Sequence, residues 1–252
     1  QKTTIGEMAR HFSDPPSRYG PTVTWGWQGP VDTTVINRDL DRVRALGFRM
    51  VTIEGGYRLP HPYLSEGYFR LIRYAVQAAK RRGMGVWIID EGKYPSGFAG
   101  GLFSEKRPDL RMQALVKSKT LAVAPGQEIS ISDIPGLLSA VAYRPDTSVT
   151  VPVTGGRIRW KAPATDGEWT LLCVSHAFRT SPTRSSNNPT GGKDTKNSLC
   201  DYLNPVATRQ FIAFTHARYK KYIGSEFGKT VIGFRSDEPA FSFTPWTPRM
   251  AD

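Results

Sequence analysis

Between Thr22 and Asp90 the chain repeats one pattern, and that repeat restricts the fold more than any other feature. Pro21-Thr22-Val23-Thr24-Trp25-Gly26-Trp27 reads as a strand ended by a turn at Gln28-Gly29-Pro30. Asp32 or Thr33 caps a helix whose apolar positions, Val35, Ile36, Leu40, Val43 and Leu46, recur at helical spacing until Gly47. Met50-Val51-Thr52-Ile53 is a second strand with Glu54 at its end. Ser65 opens a helix through Phe69, Ile72, Val76 and Ala79 to Gly83, and Gly85–Asp90 is a third strand. Strands joined by helices of this length run parallel, with right-handed crossovers. The strand ends carry Trp25, Trp27, Glu54, Asp90 and Glu91, and the carboxyl ends of parallel strands are where α/β proteins keep their sites.

The texture changes at about Met112. Short β-like runs (121–123, 128–131, 149–151, 157–160 and 169–174) alternate with Pro-Gly, Gly-Gly and Asp-Gly turns, which predicts an inserted antiparallel β subdomain over 112–178. Residues 179–200 read as a polar, flexible loop rich in Ser, Thr, Asn, Pro and Gly. The α/β rhythm resumes over 201–252. One helix runs through Ala207, Phe211, Phe214 and Tyr222 to Gly228, and a fourth strand, Lys229–Phe234, delivers Arg235-Ser236-Asp237-Glu238-Pro239. The expected class is α/β of the (β/α)8 TIM-barrel type, with 1–111 supplying the first three strands and 201–252 the fourth. Only four of the eight strand-helix units such a barrel needs are present, so the sequence reads as truncated.

Composition removes several classes. With 39% hydrophobic and 22% charged residues the chain is globular rather than disordered, and no run is long and apolar enough for a membrane span. The net charge of +12 is spread along the sequence. Its clusters, Lys80-Arg81-Arg82 and Lys220-Lys221, sit where helix C-termini favour cations, and no nucleic-acid motif accompanies them. A diffuse positive field suits an acidic substrate. Two cysteines, Cys173 and Cys200, make neither a disulfide framework nor a metal motif. The start at Gln1-Lys2-Thr3-Thr4 fits a cytoplasmic protein or an exported one whose leader has been removed.

The candidate catalytic residue is Glu238, at a strand tip beside Asp237, a like charge that favours the proton-retaining form a general acid needs. The alternative is that Asp237 or Glu238 caps a turn or pairs with Arg235. Asp90 and Glu91 precede a glycine-rich loop, Gly92-Lys93-Tyr94-Pro95-Ser96-Gly97-Phe98-Ala99-Gly100-Gly101. Its carboxylates and Tyr94 suit sugar hydroxyls and C–H faces, or a cation. Trp25 and Trp27 alternate on one side of their strand, as core residues or as a sugar platform. His61 is a candidate ligand contact in the loop after strand two. His216, within a helix beside basic residues, reads as structural or surface. There is no Gly-x-Ser-x-Gly elbow, and neither cysteine has an activating partner.

Five motifs, in order, carry a family resemblance: Phe12-Ser13-Asp14-Pro15-Pro16, Trp25-Gly26-Trp27, Asp90-Glu91 with Tyr94-Pro95-Ser96-Gly97 and Ala99-Gly100-Gly101, Asp201-Tyr202-Leu203-Asn204-Pro205, and Ser236-Asp237-Glu238-Pro239. Together they resemble the N-terminal catalytic region of bacterial glycosyl-hydrolase-like proteins related to glycoside hydrolase family 106, the α-L-rhamnosidases. The resemblance spans the chain apart from the β insertion and the 179–198 loop. It implies an exported (periplasmic or secreted) inverting glycosidase acting on plant or algal-type polysaccharide. It also implies calcium at the site in rhamnosidase members, a barrel followed by β-sandwich domains, and Glu238 as general acid. An inverting reaction needs a second carboxylate about 6.5–9.5 Å away, expected on a later strand beyond residue 252. The competing expectation is a non-catalytic carbohydrate-binding protein, or a half-barrel that assembles with a partner chain.

Overall fold

The computed structural model describes residues 3–16, 19–56, 58–92, 94–164, 167–179, 198–238 and 243–250. The chain divides into two compact units. The first comprises the described residues of Gln1–Asp109, Ser181–Cys200 and Val206–Ala240, and the second those of Leu110–Thr180, Asp201–Pro205 and Phe241–Asp252.

The first unit begins with helix α1 (Ile5–Ser13), where the sequence reading expected extended chain at Phe12–Pro16. Thr4 and Glu7 start it with a reciprocal capping box: the Thr4 hydroxyl accepts the Glu7 N–H at 3.2 Å, and Glu7 accepts the Thr4 N–H at 2.8 Å. The Pro15-Pro16 stiffening begins only after this helix has ended.

Four parallel strands follow, β1 (Thr22–Trp27), β2 (Met50–Gly55), β3 (Gly85–Ile89) and, after the second unit's segment, β11 (Val231–Arg235). They stand in the order β1-β2-β3-β11, so chain order equals spatial order. Helix α2 (Thr33–Ala45) joins β1 to β2, and helix α3 (Glu66–Arg81) joins β2 to β3. The Asp32 carboxylate caps α2 through the Val35 N–H at 2.8 Å, and Ser65 caps α3 through the Tyr68 N–H at 3.3 Å. Basic residues close each last turn, Arg42 and Arg44 in α2 and Lys80 and Arg81 in α3. The chain leaves each helix through a left-handed glycine, Gly47 and Gly83.

Between helices and sheet lies an apolar core of Trp27, Ile36, Leu40, Val51, Ile53, Phe69, Ile72, Val76, Val86 and Ile88. Each large side chain buried there contributes about 1.5–3 kcal/mol of transfer free energy. Val51, Thr52 and Ile53 are buried in succession, the signature of a strand covered on both faces. Among the described residues the parallel strands number four, and they form a sheet with two edges rather than a closed eight-stranded barrel.

The expected single helix over 207–228 is two, α5 (Pro205–Phe214) and α6 (His216–Ile223). At the break, the Phe211 carbonyl accepts both the Thr215 N–H at 3.0 Å and the Thr215 hydroxyl at 2.8 Å, and the Thr215 backbone leaves helical geometry at φ −115°, ψ −82°. A short helix, α4 (Leu102–Lys106), follows the loop after β3.

The second unit is antiparallel β. One sheet has the order β12-β4-β10-β6-β7, built from β4 (Gln113–Val123), β6 (Leu137–Arg144), β7 (Thr147–Val151), β10 (Trp169–Phe178) and the late strand β12 (Pro245–Trp246). A smaller sheet joins β5 (Glu128–Ile131), β9 (Arg157–Lys161) and β8 (Val153–Thr154). Along β10 buried and partly exposed residues alternate, which sends Trp169, Leu171 and Cys173 into a core with Val123, Ala140, Ala142 and Val151. Most of the 179–200 loop lies outside the described residues. Its last three residues correct the flexible reading: Ser198, Leu199 and Cys200 are buried. The Ser198 N–H reaches Ser104 Oγ at 3.1 Å, and the Cys200 N–H reaches the Gly97 carbonyl at 2.9 Å. Cys173 and Cys200 are both free and buried. No helix among the described residues is long and apolar enough to cross a membrane.

Candidate functional site

Strands β3 and β11 are neighbours, and each ends in an Asp-Glu pair. Pairing runs to Ile89 opposite Arg235, and the Asp90 N–H still donates to the Arg235 carbonyl at 3.1 Å. The sheet therefore carries Asp90-Glu91 and Asp237-Glu238 side by side beyond its carboxyl edge.

Ser96 links the two tips. Its hydroxyl donates to Asp90 Oδ1 at 2.6 Å and accepts the Asp237 N–H at 2.8 Å. Asp90 is buried, which pushes its carboxyl above the ordinary aspartate range against the opposing pull of the Ser96 hydroxyl and of His216. His216 Nε2 lies 3.8 Å from Asp90 Oδ2, with its ring 4.6 Å from Phe234. Burial holds the imidazole below its usual value, and the Asp90 charge works against that. Tyr94 reaches the other tip, its hydroxyl donating to Glu238 Oε2 at 2.6 Å. Glu238 is solvent-exposed, whereas Asp237 is half-buried with Oδ1 3.9 Å from Arg235 Nε.

Glu91 behaves differently from its three neighbours. It is 1% exposed, and both oxygens accept backbone N–H groups: Oε1 from Gly92 at 2.8 Å and Gly100 at 3.0 Å, Oε2 from Ala99 at 2.6 Å. It offers nothing to a substrate, which corrects its reading as a substrate contact. Desolvation pushes its carboxyl up to about 7, although the three N–H donors pull the other way.

The tryptophans are also corrected. Trp27 is 1% exposed and Trp25 8%, edge-on to each other at 5.5 Å, and Trp25 Nε1 donates to Asp39 Oδ2 at 3.3 Å. Both are core residues with no face left for a sugar. His61 is half-buried against Gly67 of α3, where an added Cβ would lie 2.4 Å from the ring. It packs the loop onto the helix. Glu54 sits half-buried at the end of β2, opposite Gly26. Asp201, from a motif of the resemblance, lies in the second unit. It is buried and turns the chain through its Oδ1, which accepts the Leu203 N–H at 3.1 Å.

Two members of the cluster were not candidates in the sequence. Ser96 lies inside the glycine-rich loop with no role evident from sequence, and His216 read as structural or surface. Its helical setting gave no hint that the break at Thr215 starts a new helix at His216, beside Asp90.

Among the described residues no three His, Cys, Asp or Glu side chains group as metal ligands. Glu91 spends both oxygens on the backbone and Asp90 Oδ1 is bonded to Ser96. This donor set does not fit calcium.

The adjacent parallel strands β3 and β11 thus end in carboxylates, with His216 of α6 and Tyr94 of the following loop beside them, at the carboxyl edge where α/β proteins keep their sites. No protein-family model matches the chain, and no curated protein does. Among solved structures it is similar to the rhamnosidase from Novosphingobium sp. PP1Y, with a TM-score of 0.59 at 13% sequence identity. The match covers 99% of this chain and 41% of that one. At this identity the likeness is one of fold, and the chain spans well under half the length of the structure it resembles.

Proposed function

We propose that this chain is the N-terminal part of a glycoside hydrolase acting on plant or algal-type polysaccharide or oligosaccharide, with Glu238 as its general acid. The observation that carries this reading is the Glu238 carboxylate itself, exposed at the tip of β11 and fixed by the Tyr94 hydroxyl at 2.6 Å. The rhamnosidase-like fold supports it, and an α-L-rhamnoside is the substrate of first choice. Chain order equal to spatial order in the parallel sheet supports a (β/α)8 barrel completed by residues after 252.

In this reading the saccharide lies across the tips of β3 and β11. Glu238, protonated, gives its proton to the glycosidic oxygen as the bond to the anomeric carbon breaks. Tyr94 keeps Oε2 from rotating away, and the carboxylate left behind accepts the Tyr94 hydrogen bond. Inversion requires a second carboxylate to take a proton from the attacking water on the opposite face, and that residue belongs to a later strand. The protein is an exported one in this reading, and its +12 charge favours a uronate-bearing polymer over a neutral one.

The test is Glu238→Gln in the longest natural chain that carries these residues, assayed on aryl α-L-rhamnosides and on acidic and neutral polysaccharides. A general acid loses about 10²–10⁴-fold in kcat with binding retained. Unchanged turnover, or weakened binding in a protein that never turned over, overturns the assignment. Equal binding of acidic and neutral glycans at low salt overturns the acidic preference alone.

A further inference from the structure

The loop between β3 and α4 carries Tyr94 and Ser96, and something must hold it in one shape, because it contains four glycines between residues 92 and 101. Glu91 is bonded to both of its ends, to Gly92 at the start and to Ala99 and Gly100 at the finish. Ala99 and Gly100 are both left-handed, φ 50° and 65°, a conformation that costs a non-glycine residue about 1–2 kcal/mol. That turn presents two successive N–H groups to one carboxyl group, the Ala99 N–H to Oε2 and the Gly100 N–H to Oε1. Here the acceptor is the protein's own side chain. The Tyr63 ring seals the arrangement: a Cβ added at Gly92 or Gly100 would come within 2.8 or 3.0 Å of it. From the loop so closed, Tyr94 reaches Glu238, and Ser96 reaches Asp90 and Asp237.

We propose that Glu91 is a positioning residue, the latch that ties residues 92 and 99–100 together and thereby presents Tyr94 and Ser96 to the tip of β11. Its positioning role rests on the glycosidase reading of Glu238, whereas the latch itself does not.

The latch has a pH dependence whose sign follows from burial. The groups facing Glu91 are Asp90 beside it and the hydroxyls of Tyr63, Tyr68 and Tyr219. Burial raises all three tyrosines well above their usual value, so they stay neutral below pH 9. The closed loop holds Glu91 with a pKa of about 7, and an opened loop returns it to water and to the ordinary glutamate value of about 4.3. The closed form therefore binds the proton more tightly. Closure is strongest at and below the open-state value, weakens as pH rises through about 7, and then levels off. Asp90, also raised by burial, acts in the same direction and needs its own control.

The experiment is amide hydrogen exchange of Gly92, Ala99 and Gly100 by NMR in the intact protein from pH 4.5 to 8.5, with intrinsic rates divided out. The wild type is expected to lose protection at these amides by about a hundredfold as pH rises. Glu91→Gln keeps one acceptor oxygen but sets an NH2 group against the Ala99 N–H, so Ala99 loses protection at low pH and the pH slope disappears. Should that variant fail to fold, Glu91→Asp serves: it keeps the charge, cannot span all three N–H groups, and retains the slope at lower protection. Asp90→Asn is expected to leave most of the slope. Flat wild-type protection, a Glu91→Gln profile equal to wild type, or loss of the slope in Asp90→Asn each overturns the proposal. A failed latch beside a dead Glu238→Gln enzyme leaves the glycosidase reading standing. A confirmed latch in a protein without turnover removes that reading and keeps the latch.

Discussion

The same dipeptide, Asp-Glu, ends two adjacent parallel strands, and the two copies do different work. At β3 both side chains are buried: Asp90 is bonded to Ser96, and Glu91 has every oxygen filled by backbone N–H groups. At β11 Asp237 is half-buried and Glu238 faces solvent, with the Tyr94 hydroxyl on one oxygen. The β3 pair belongs to the architecture of a loop, and the β11 pair is held by that loop. A carboxylate's role is thus set by what closes over it. After Glu91 come ten residues that fold back and bury it, and Glu238 sits on the outer side of the same loop.

Substitution at each pair should break this symmetry in opposite ways, the largest effect falling on turnover. Glu238→Gln is expected to lower kcat about 10²–10⁴-fold while changing the urea midpoint little, because an exposed carboxylate contributes little to stability. Glu91→Ala should do the reverse. Three buried N–H groups lose their acceptor, and each such loss costs about 1–3 kcal/mol before water enters. Equilibrium unfolding in urea should show a loss of about 3 kcal/mol. If the two variants lose stability equally, the contrast between the tips is wrong.

Ser96→Ala comes next, because it touches both tips. It strips Asp90 Oδ1 of its 2.6 Å donor and leaves the Asp237 N–H without its acceptor. A loss of about 1–2 kcal/mol is expected in the same urea experiment. The Asp90 carboxyl should move further up, since the Ser96 hydroxyl is the largest influence pulling it down. An Asp90 titration unmoved in Ser96→Ala, followed through its carboxyl carbon by NMR, would count against the bridge.

The first unit's frame was legible because its signals are local. Apolar spacing, caps at Asp32 and Ser65, and stops at Gly47 and Gly83 all act within a few residues of the element they define. Helix α1 has the same kind of signal in Thr4-x-x-Glu7, while the Pro15-Pro16 pair just beyond it favours extended chain. The placement of carboxylates at the strand ends was legible too, and Asp237 and Glu238 do stand beyond the end of β11. What was not legible was direction. Nothing in Asp90-Glu91 tells which of two adjacent carboxylates turns inward, because the answer lies in the left-handed turn at Ala99 and Gly100 eight and nine residues later. Trp25 and Trp27 failed as platforms for a similar reason: β1 is covered by α2 and α3, whose contacts with it are nonlocal. His216 was hidden by a helix break at Thr215, whose backbone leaves helical geometry.

The smallest expected effect bears on that histidine. His216 is pushed below its ordinary value by burial, and the nearby Asp90 charge is the influence that raises it. Asp90→Asn removes the charge and keeps the shape, so the imidazole should titrate lower still, as read from its ring proton shifts by NMR. Stability should respond with a definite sign. A histidine whose folded value lies below its unfolded one contributes stability above the unfolded value of about 6.5, and this is lost as pH falls through the folded value. In Asp90→Asn that loss should move to lower pH. Glu238→Gln, by contrast, should leave the His216 titration where it is, because the Asp90–His216 contact belongs to the buried side of the pair of strands. A histidine that follows Glu238 and ignores Asp90 would mean that the two tips form one electrostatic unit, and the division between an architectural and a reactive carboxylate pair would fall.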